Sequence, residues 1–596
     1  MAAKRLSLPT RIVDKFLEGN LSVILIVLAV LAGLAALTLT PREEEPQIVV
    51  PLADVYVHLP GANPAEVERQ VATPLEKLLW QVDGVEYVYS MSRADMAVVT
   101  ARFYVGEDRI DSLVKLHNKL STHTDIMPPG VAGWVIKPVE VDDVPIVNLA
   151  LYSDQVSDHT IRRVAEEVVD RLQSVPQTSI TQVIGGRPRQ IRIDADPEAL
   201  AARGLDLLSV NRALAAANLE LPAGHFSRGN QDILVRGGGF LTSAEEVADL
   251  VIGIADGAPV YLRDVAQVAN SMTETESYTR LRFGPATDRD PNHDYQAVNI
   301  AVAKQKGTNA VVVADEVIEA VHAMQGTIIP EEIEVLVTRN YGETADHKVN
   351  ELMTHLIIAI VTVLGLVLFA LGWREALIVA VSIPIIYSLT LLVNYLFGYT
   401  INRVTLFALV LALGLLVDDP IVDVENIFRH FKMKKEPPRD AVLTAIDEVR
   451  PPVILATLAV ILSFLPMMFI TGMMGPYMRP MAINLPLTMV MSLLVAFTIT
   501  PWMSYHILKS EYGKEEKEFV LEESKVYQVY RKLLTPFLQS RGKSWLLVGV
   551  VLLLLLISVA MPALNMVPLK MLPFDNKNEF QLVLDLPEGA PLEETD

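Results

Sequence analysis

Gly414-Leu415-Leu416-Val417-Asp418-Asp419-Pro420-Ile421-Val422-Asp423-Val424-Glu425-Asn426 places carboxylates inside an apolar stretch. The uncharged run Val404 to Val417 precedes the pair, and Ile421, Val422, Val424, Ile427 and Phe428 carry the apolar pattern past it. A helix that stopped at Val417 would be too short to cross a bilayer, which takes about 20 apolar residues. The helix is therefore expected to run through Asp418 and Asp419 and on to the basic residues that follow. A charged side chain near mid-membrane costs about 2.5–3.5 kcal/mol on insertion scales, so such residues face a bundle interior and serve a pathway or a proton relay. Adjacent carboxylates repel when both ionise, and the pair is expected to titrate as one coupled unit. Pro420 removes a backbone hydrogen bond and is expected to kink the helix, opening the Leu416 carbonyl to the polar site. Asp423, one turn on, either extends that polar face or sits as an interfacial acid. Glu425 is a further accessory candidate.

Six more uncharged runs flank this one: Leu21 to Thr40, Leu356 to Trp373, Ala376 to Asn402, Pro451 to Met478, Pro480 to Leu508 and Ser544 to Leu569. Seven membrane spans are expected. Lys4, Arg5, Arg11 and Lys15 precede the first run, which is too long for a signal-peptide core and lacks a small-residue cleavage site. Basic residues mark cytoplasmic ends. The connection Arg429 to Asp440 carries Arg429, Lys432, Lys434, Lys435 and Arg439, so it and the N-terminus are read as cytoplasmic. Alternation then puts residues 41–350 outside the membrane. That block holds 27 Lys and Arg against 46 Asp and Glu and supplies most of the chain's net charge of −21, as befits a water-exposed domain.

Within the block, strands are expected at Asp54 to Leu59, Val85 to Ser90 and Ala97 to Tyr104. Helices are expected from Pro64, capped by Asn63, and at Ile110 to Leu120. Val67, Val71, Leu75 and Leu78 recur at helical spacing. A second cycle runs from strand Ile146 to Tyr152 and helix His159 to Leu172 to strand Ala297 to Ala303, helix Asn309 to Met324 and strand Ile333 to Thr338. The order β-α-β-β-α-β predicts two ferredoxin-like units, the second interrupted by an insert at about 181–275. The fold class is thus an α-helical membrane bundle of seven spans with a large α+β external domain. An internal repeat supports tandem halves: His58-Leu-Pro-Gly-Ala-Asn-Pro-Ala-Glu66 lies over Asp585-Leu-Pro-Glu-Gly-Ala-Pro-Leu-Glu593, at nearly the separation of the first and seventh runs.

The expected organisation is an interfacial helix at 1–20, a first span at 21–40, the external porter and docking region at 41–350, spans two to six at 351–508, a cytoplasmic amphipathic linker at 509–543, a seventh span at 544–569, and the start of a second external block at 570–596. The chain is expected to be about half of a longer protein.

Composition excludes much else. The acidic balance argues against nucleic acid, and the absence of cysteine removes disulfides, thiolate metal sites and Cys nucleophiles. Gly237 to Gly239 lacks the spacing and Lys of a phosphate loop. His58, His123, His225 and His293 are scattered without ligand spacing. No cofactor and no metal site is expected, and no enzyme activity.

Gly414-Leu-Leu-Val-Asp-Asp followed by Val-Glu-Asn is similar to the fourth-helix signature of the hydrophobe and amphiphile exporters, the acriflavine-resistance-type branch of the resistance-nodulation-division superfamily. The resemblance covers the whole chain. It implies proton-driven efflux of small hydrophobic or amphiphilic compounds across the bacterial inner membrane, with protons as the coupling ion. It further implies a homotrimer embedded in lipid, with a periplasmic adaptor protein and an outer-membrane channel as partners. Asp418 and Asp419 match the family's proton-carrying aspartates, whose partner is a lysine on the fourth helix of the second half; Pro420 and Asp423 depart from the family pattern. Leu219 to Gly237 resembles the hairpin that reaches into a neighbouring subunit. The alternatives are a heavy-metal exporter, to which the methionines from Met467 to Met481 would point, a protein-secretion accessory of the same superfamily, and an inert fragment.

Overall fold

The computed structural model of the chain describes residues 8–17, 19–131, 133–140, 143–255, 257–512, 525–567, 579–587 and 589–596. Among them, seven helices are long and apolar enough to cross a membrane: Leu21–Leu39, Tyr341–Ala370, Trp373–Leu396, Arg403–Met433, Pro438–Phe469, Met474–Leu508 and Arg541–Ala563. They are called spans one to seven below. Several run beyond the uncharged stretches because their polar ends stay helical. The second starts directly off a strand, where the Asn340 side chain caps it by accepting from the Glu343 amide at 3.1 Å.

Half or more of the third, fourth and sixth spans is buried, against about a tenth of the second and fifth. The interior of the bundle is thus made by three helices, and the fourth span lies in it. The first span packs closely on the third. A Cβ on Gly33 would lie 2.3 Å from the Ser388 Cβ, so this backbone approach needs glycine, the small-residue contact that lets membrane helices approach closely. Ser22 Oγ donates to the Thr498 carbonyl at 3.3 Å and ties the first span to the sixth.

Residues between the first and second spans form the α/β block. Its first sheet holds β1 (Leu52–His58), β2 (Val85–Arg93), β3 (Met96–Phe103) and β4 (Trp134–Val139) in the order β2-β3-β1-β4, all antiparallel. Asn63 caps the helix starting at Pro64 through a capping box with Glu66. Val67, Val71, Leu75 and Leu78 from this helical stretch bury against Val55, Val57, Val99 and Phe103. The second sheet holds β5 (Val147–Ser153), β6 (Thr178–Ile184), β7 (Asp294–Lys304) and β8 (Glu334–Asn340) in the order β6-β7-β5-β8, with a fifth, short strand, Arg280–Arg282, also paired to β7. Helices Asp158–Leu172 and Ala310–Met324 cover it through Ile161, Val168, Val313 and Val317.

Between β6 and β7 lies a smaller core, where Leu200, Val210, Ile252 and Leu262 pack around the paired strands Arg189–Ala195 and Ala266–Met272. From it projects a hairpin, Leu219–Arg228 paired with Gln231–Gly239, exposed along nearly its whole length.

A short strap joins the block to the bundle. Ile401 N donates to Pro41 O at 2.9 Å, Glu43 N to Ile401 O at 3.0 Å, and Arg403 N to Glu44 O at 3.3 Å. On its other side Ala310 N donates to Arg42 O at 3.1 Å, and the buried Lys304 Nζ pairs with Glu43 Oε1 at 2.6 Å. The head of the fourth span, where Asn402 caps and Arg403 begins the helix, is therefore bonded through this strap to β7 and to helix Ala310–Met324.

Residues 510–596 form a separate unit. It contains an amphipathic helix, Lys525–Gln539, followed by the seventh span. Pro591 precedes the short helix Leu592–Thr595, whereas Pro64 is the first residue of its counterpart, Pro64–Val67. Parts of the expected linker at 509–543 (513–524), of the seventh run at 544–569 (568 onward) and of the expected second block at 570–596 (570–578), together with Lys4 and Arg5, lie outside the described residues.

Candidate functional site

The fourth span is two helical pieces, Arg403–Leu416 and Asp418–Met433, joined through Val417. Pro420 has no N–H to give the Leu416 carbonyl, and the ladder resumes with Ile421 N donating to Val417 O at 3.2 Å. A side chain from the sixth span fills the gap. The Ser492 hydroxyl lies 3.0 Å from Leu416 O and 2.9 Å from Asp419 Oδ2. A hydroxyl carries one proton, so it donates to the carbonyl or to the carboxylate at any moment. The carboxylate's charge state sets which.

From Asp418 on, the helix has two distinct faces. Asp418, Val422, Glu425 and Arg429 are all exposed, at the spacing of one helix stripe. Asp419, Asp423, Asn426 and Ile427 are buried in the bundle, Asp423 completely. Among the described residues neither carboxylate oxygen of Asp423 has a hydrogen-bond partner. Further along the same face, Asn426 Nδ2 donates to Ala445 O at 2.7 Å. Glu448 on the fifth span gathers Arg429 Nη2 at 2.8 Å and His430 Nε2 at 3.0 Å on its Oε2, with Asn426 Nδ2 at 3.4 Å.

The structure thus brings Asp419 and Asp423 into one interior line and leaves Asp418 and Glu425 on the exposed stripe. Ser492, His430 and Glu448 were not singled out from sequence. A signal for Ser492 exists: Asn484, Thr488 and Ser492 stand four residues apart in an apolar run, and all three are fully buried. His430 and Glu448 gave none, because the fifth span's charged start lies outside the uncharged run. Among the described residues no group of three His, Cys, Asp or Glu side chains could hold a metal ion.

The model of the AcrB/AcrD/AcrF family matches residues 12–596. The chain belongs to that family. Its expected place among the resistance-nodulation-division transporters is thereby established, as is a multi-pass membrane architecture with an α/β block, and the family is one of secondary transporters rather than enzymes. Similar proteins include three called "Multidrug resistance protein MdtC". That of Photorhabdus laumondii is 29% identical over 90% of this chain and 51% of its own length. That of Yersinia enterocolitica is 28% identical over 84% and 48%, and that of Yersinia pestis 27% over 83% and 48%. The chain spans about half the length of these curated relatives. Against the AcrB/AcrD/AcrF background, the polar interior of the fourth span is the site that needs a functional account.

Proposed function

We propose that this chain forms the first half of a proton-motive-force-driven exporter of hydrophobic or amphiphilic compounds in the bacterial inner membrane, with Asp418 and Asp419 as its proton relay. The observation that carries the reading is Asp419, a carboxyl group buried within a membrane-spanning bundle and bonded to a hydroxyl that can also serve a backbone carbonyl. Such a group changes partner when it gains or loses a proton. The change is local and two-state, as a coupling switch requires. The exposed stripe of Asp418 and Glu425 is the face left for the lysine-bearing fourth helix of the second half; Glu425, and Asp423 on the buried face, are accessory relay candidates. Family kinship and the relatives' names support the efflux reading.

The strap Pro41 to Glu45 would pass a movement of the fourth span to the α/β block, which we place in the periplasm. In each of the two larger sheets of that block the four main strands stand in the spatial order 4-1-3-2 when numbered within each unit, the order of ferredoxin-like folds, which supports the porter reading. The exposed hairpin at residues 219–239 suits insertion into a neighbouring subunit of a homotrimer, and the assembly would work with a periplasmic adaptor and an outer-membrane channel. Protons would be the coupling ion, with no cofactor.

Cells expressing the complete pump, loaded with an amphiphilic dye, should extrude it until a protonophore collapses the proton gradient. Extrusion that continues unchanged after collapse would refute proton coupling.

A further inference from the structure

The proton path does not end at Asp419. We propose that Asp423, His430 and Glu448 form a second stretch of it, leading from Asp419 along the buried face of the fourth span to the end that lies away from the α/β block. The proposal rests on the reading of Asp419 as a proton carrier and extends it to residues that lie outside the Asp-Asp motif.

Placement is the first argument. Asp419, Asp423, Asn426 and His430 are separated by four, three and four residues, the spacing that keeps side chains on one helix face. Neighbours at such spacing have Cβ atoms about 5–6 Å apart, a gap closed by one carboxyl rotation or one water. The second argument is burial. Asp423 is fully enclosed, and neither of its oxygens has a hydrogen-bond partner among the described residues. An ionised carboxylate left unpaired in such a place is strongly disfavoured, so the arrangement here is that of the neutral acid, which holds a proton. A purely structural role would be filled better by an apolar side chain, since a buried carboxyl without partners stabilises nothing.

The third argument is the far end. His430 is nearly buried, its side chain only 10% exposed, whereas Glu448 is half exposed. The pair therefore joins the interior to solvent. Helices packed against this half of the span carry other titratable groups: Glu375 and Tyr387 on the third span, Asp440, Asp447 and Arg450 beside Glu448 on the fifth, and His506 on the sixth. Tyr387 donates to Leu409 O at 2.9 Å, and Asp447 pairs with Arg450 at 3.0 Å. Glu448 is hydrogen-bonded to this face through Asn426 and His430.

One transfer moves one proton. Asp423 gives up its carboxyl proton and is left as carboxylate. The proton crosses the Asn426 turn on water to His430 Nδ1, while His430 Nε2 passes its own proton to Glu448, which releases it to solvent. Asp419 then reloads Asp423 from one turn away.

The test is infrared difference spectroscopy on the chain in lipid nanodiscs. A protonated-carboxyl stretching band should be present in the parent protein, be lost in Asp423→Asn and be restored, shifted, in Asp423→Glu. In H2O-to-D2O exchange, that band should shift severalfold more slowly in His430→Gln and in Glu448→Gln than in the parent. These exchange arms keep Asp423 itself intact, so they hold even where Asp423→Asn fails to fold. A band insensitive to substitution at Asp423, or exchange unaffected by either variant at the far end, overturns the proposal. The outcome is separable from the export reading: a complete pump that exports normally with Asp419→Asn would sink that reading while leaving the band and its exchange as they are.

Discussion

Substituting Ser492 by Ala removes the donor shared by the Leu416 carbonyl and Asp419. Pro420 has already deprived that carbonyl of its helical donor, so the substitution leaves a buried acceptor with nothing to pair with. An unmade buried hydrogen bond costs about 1–3 kcal/mol, and a destabilisation near the middle of that range is expected. Pro420→Ala restores an N–H four residues after Leu416. In that background the carbonyl keeps its donor when Ser492 is truncated, and only the Asp419 contact at 2.9 Å is lost. The cost of Ser492→Ala should then fall by about 1 kcal/mol, the net worth of one such bond. Equilibrium unfolding in mixed micelles of rising SDS fraction, applied to the parent, both single variants and the double, gives the coupling directly. Two distant sites would be additive within about 0.5 kcal/mol. Additivity here would refute the claim that Ser492 stands in for the missing proline donor.

Three further outcomes follow from the packing. Lys304→Met should destabilise the protein by about 3–5 kcal/mol by taking the cation from the buried Glu43, whose second oxygen has no hydrogen-bond partner among the described residues. Adding Glu43→Leu should recover most of the loss, measured in the same micelle titration. Gly33→Leu should cost about 1–3 kcal/mol by overpacking, relieved in part by Ser388→Gly. In the α/β block the Arg187 guanidinium, 2.8 Å from Asp158, holds that carboxyl below its usual range. A depressed folded-state value gives stability that is present above the unfolded carboxyl pKa of about 3.9 and is lost as pH falls through the folded value. For a partly exposed pair it amounts to about 1 kcal/mol at most, and Arg187→Gln should remove this part of the acid dependence seen in tryptophan fluorescence.

The seven spans were legible because bilayer crossing demands long uncharged runs, and the α/β character of the block because strand and helix periods differ. The spans' ends were less legible. Tyr341 begins its helix within a polar stretch that hydrophobicity does not mark, and only the Asn340 cap explains the start. At the site, the effect of Pro420 on Leu416 could be reasoned from proline chemistry alone. That Ser492 answers it could not, since the contact joins residues 76 apart in sequence. Asp423 was ambiguous for the same reason. One turn of helix separates an interfacial acid from a buried one, and burial depends on which neighbours cover it. The sequence also paired Asp418 with Asp419 as equals, whereas successive residues on a helix point about 100° apart. One therefore lies on the exposed stripe and the other within the bundle.

The most direct test of the central claim is dye export by the complete pump in proteoliposomes, driven by an imposed pH gradient and recorded together with proton flux. The account predicts that Asp419→Asn abolishes both gradient-driven export and the accompanying proton movement while dye binding and membrane insertion persist. Full export by an Asp418→Asn, Asp419→Asn double variant, with proton flux still tied to it, would contradict the account.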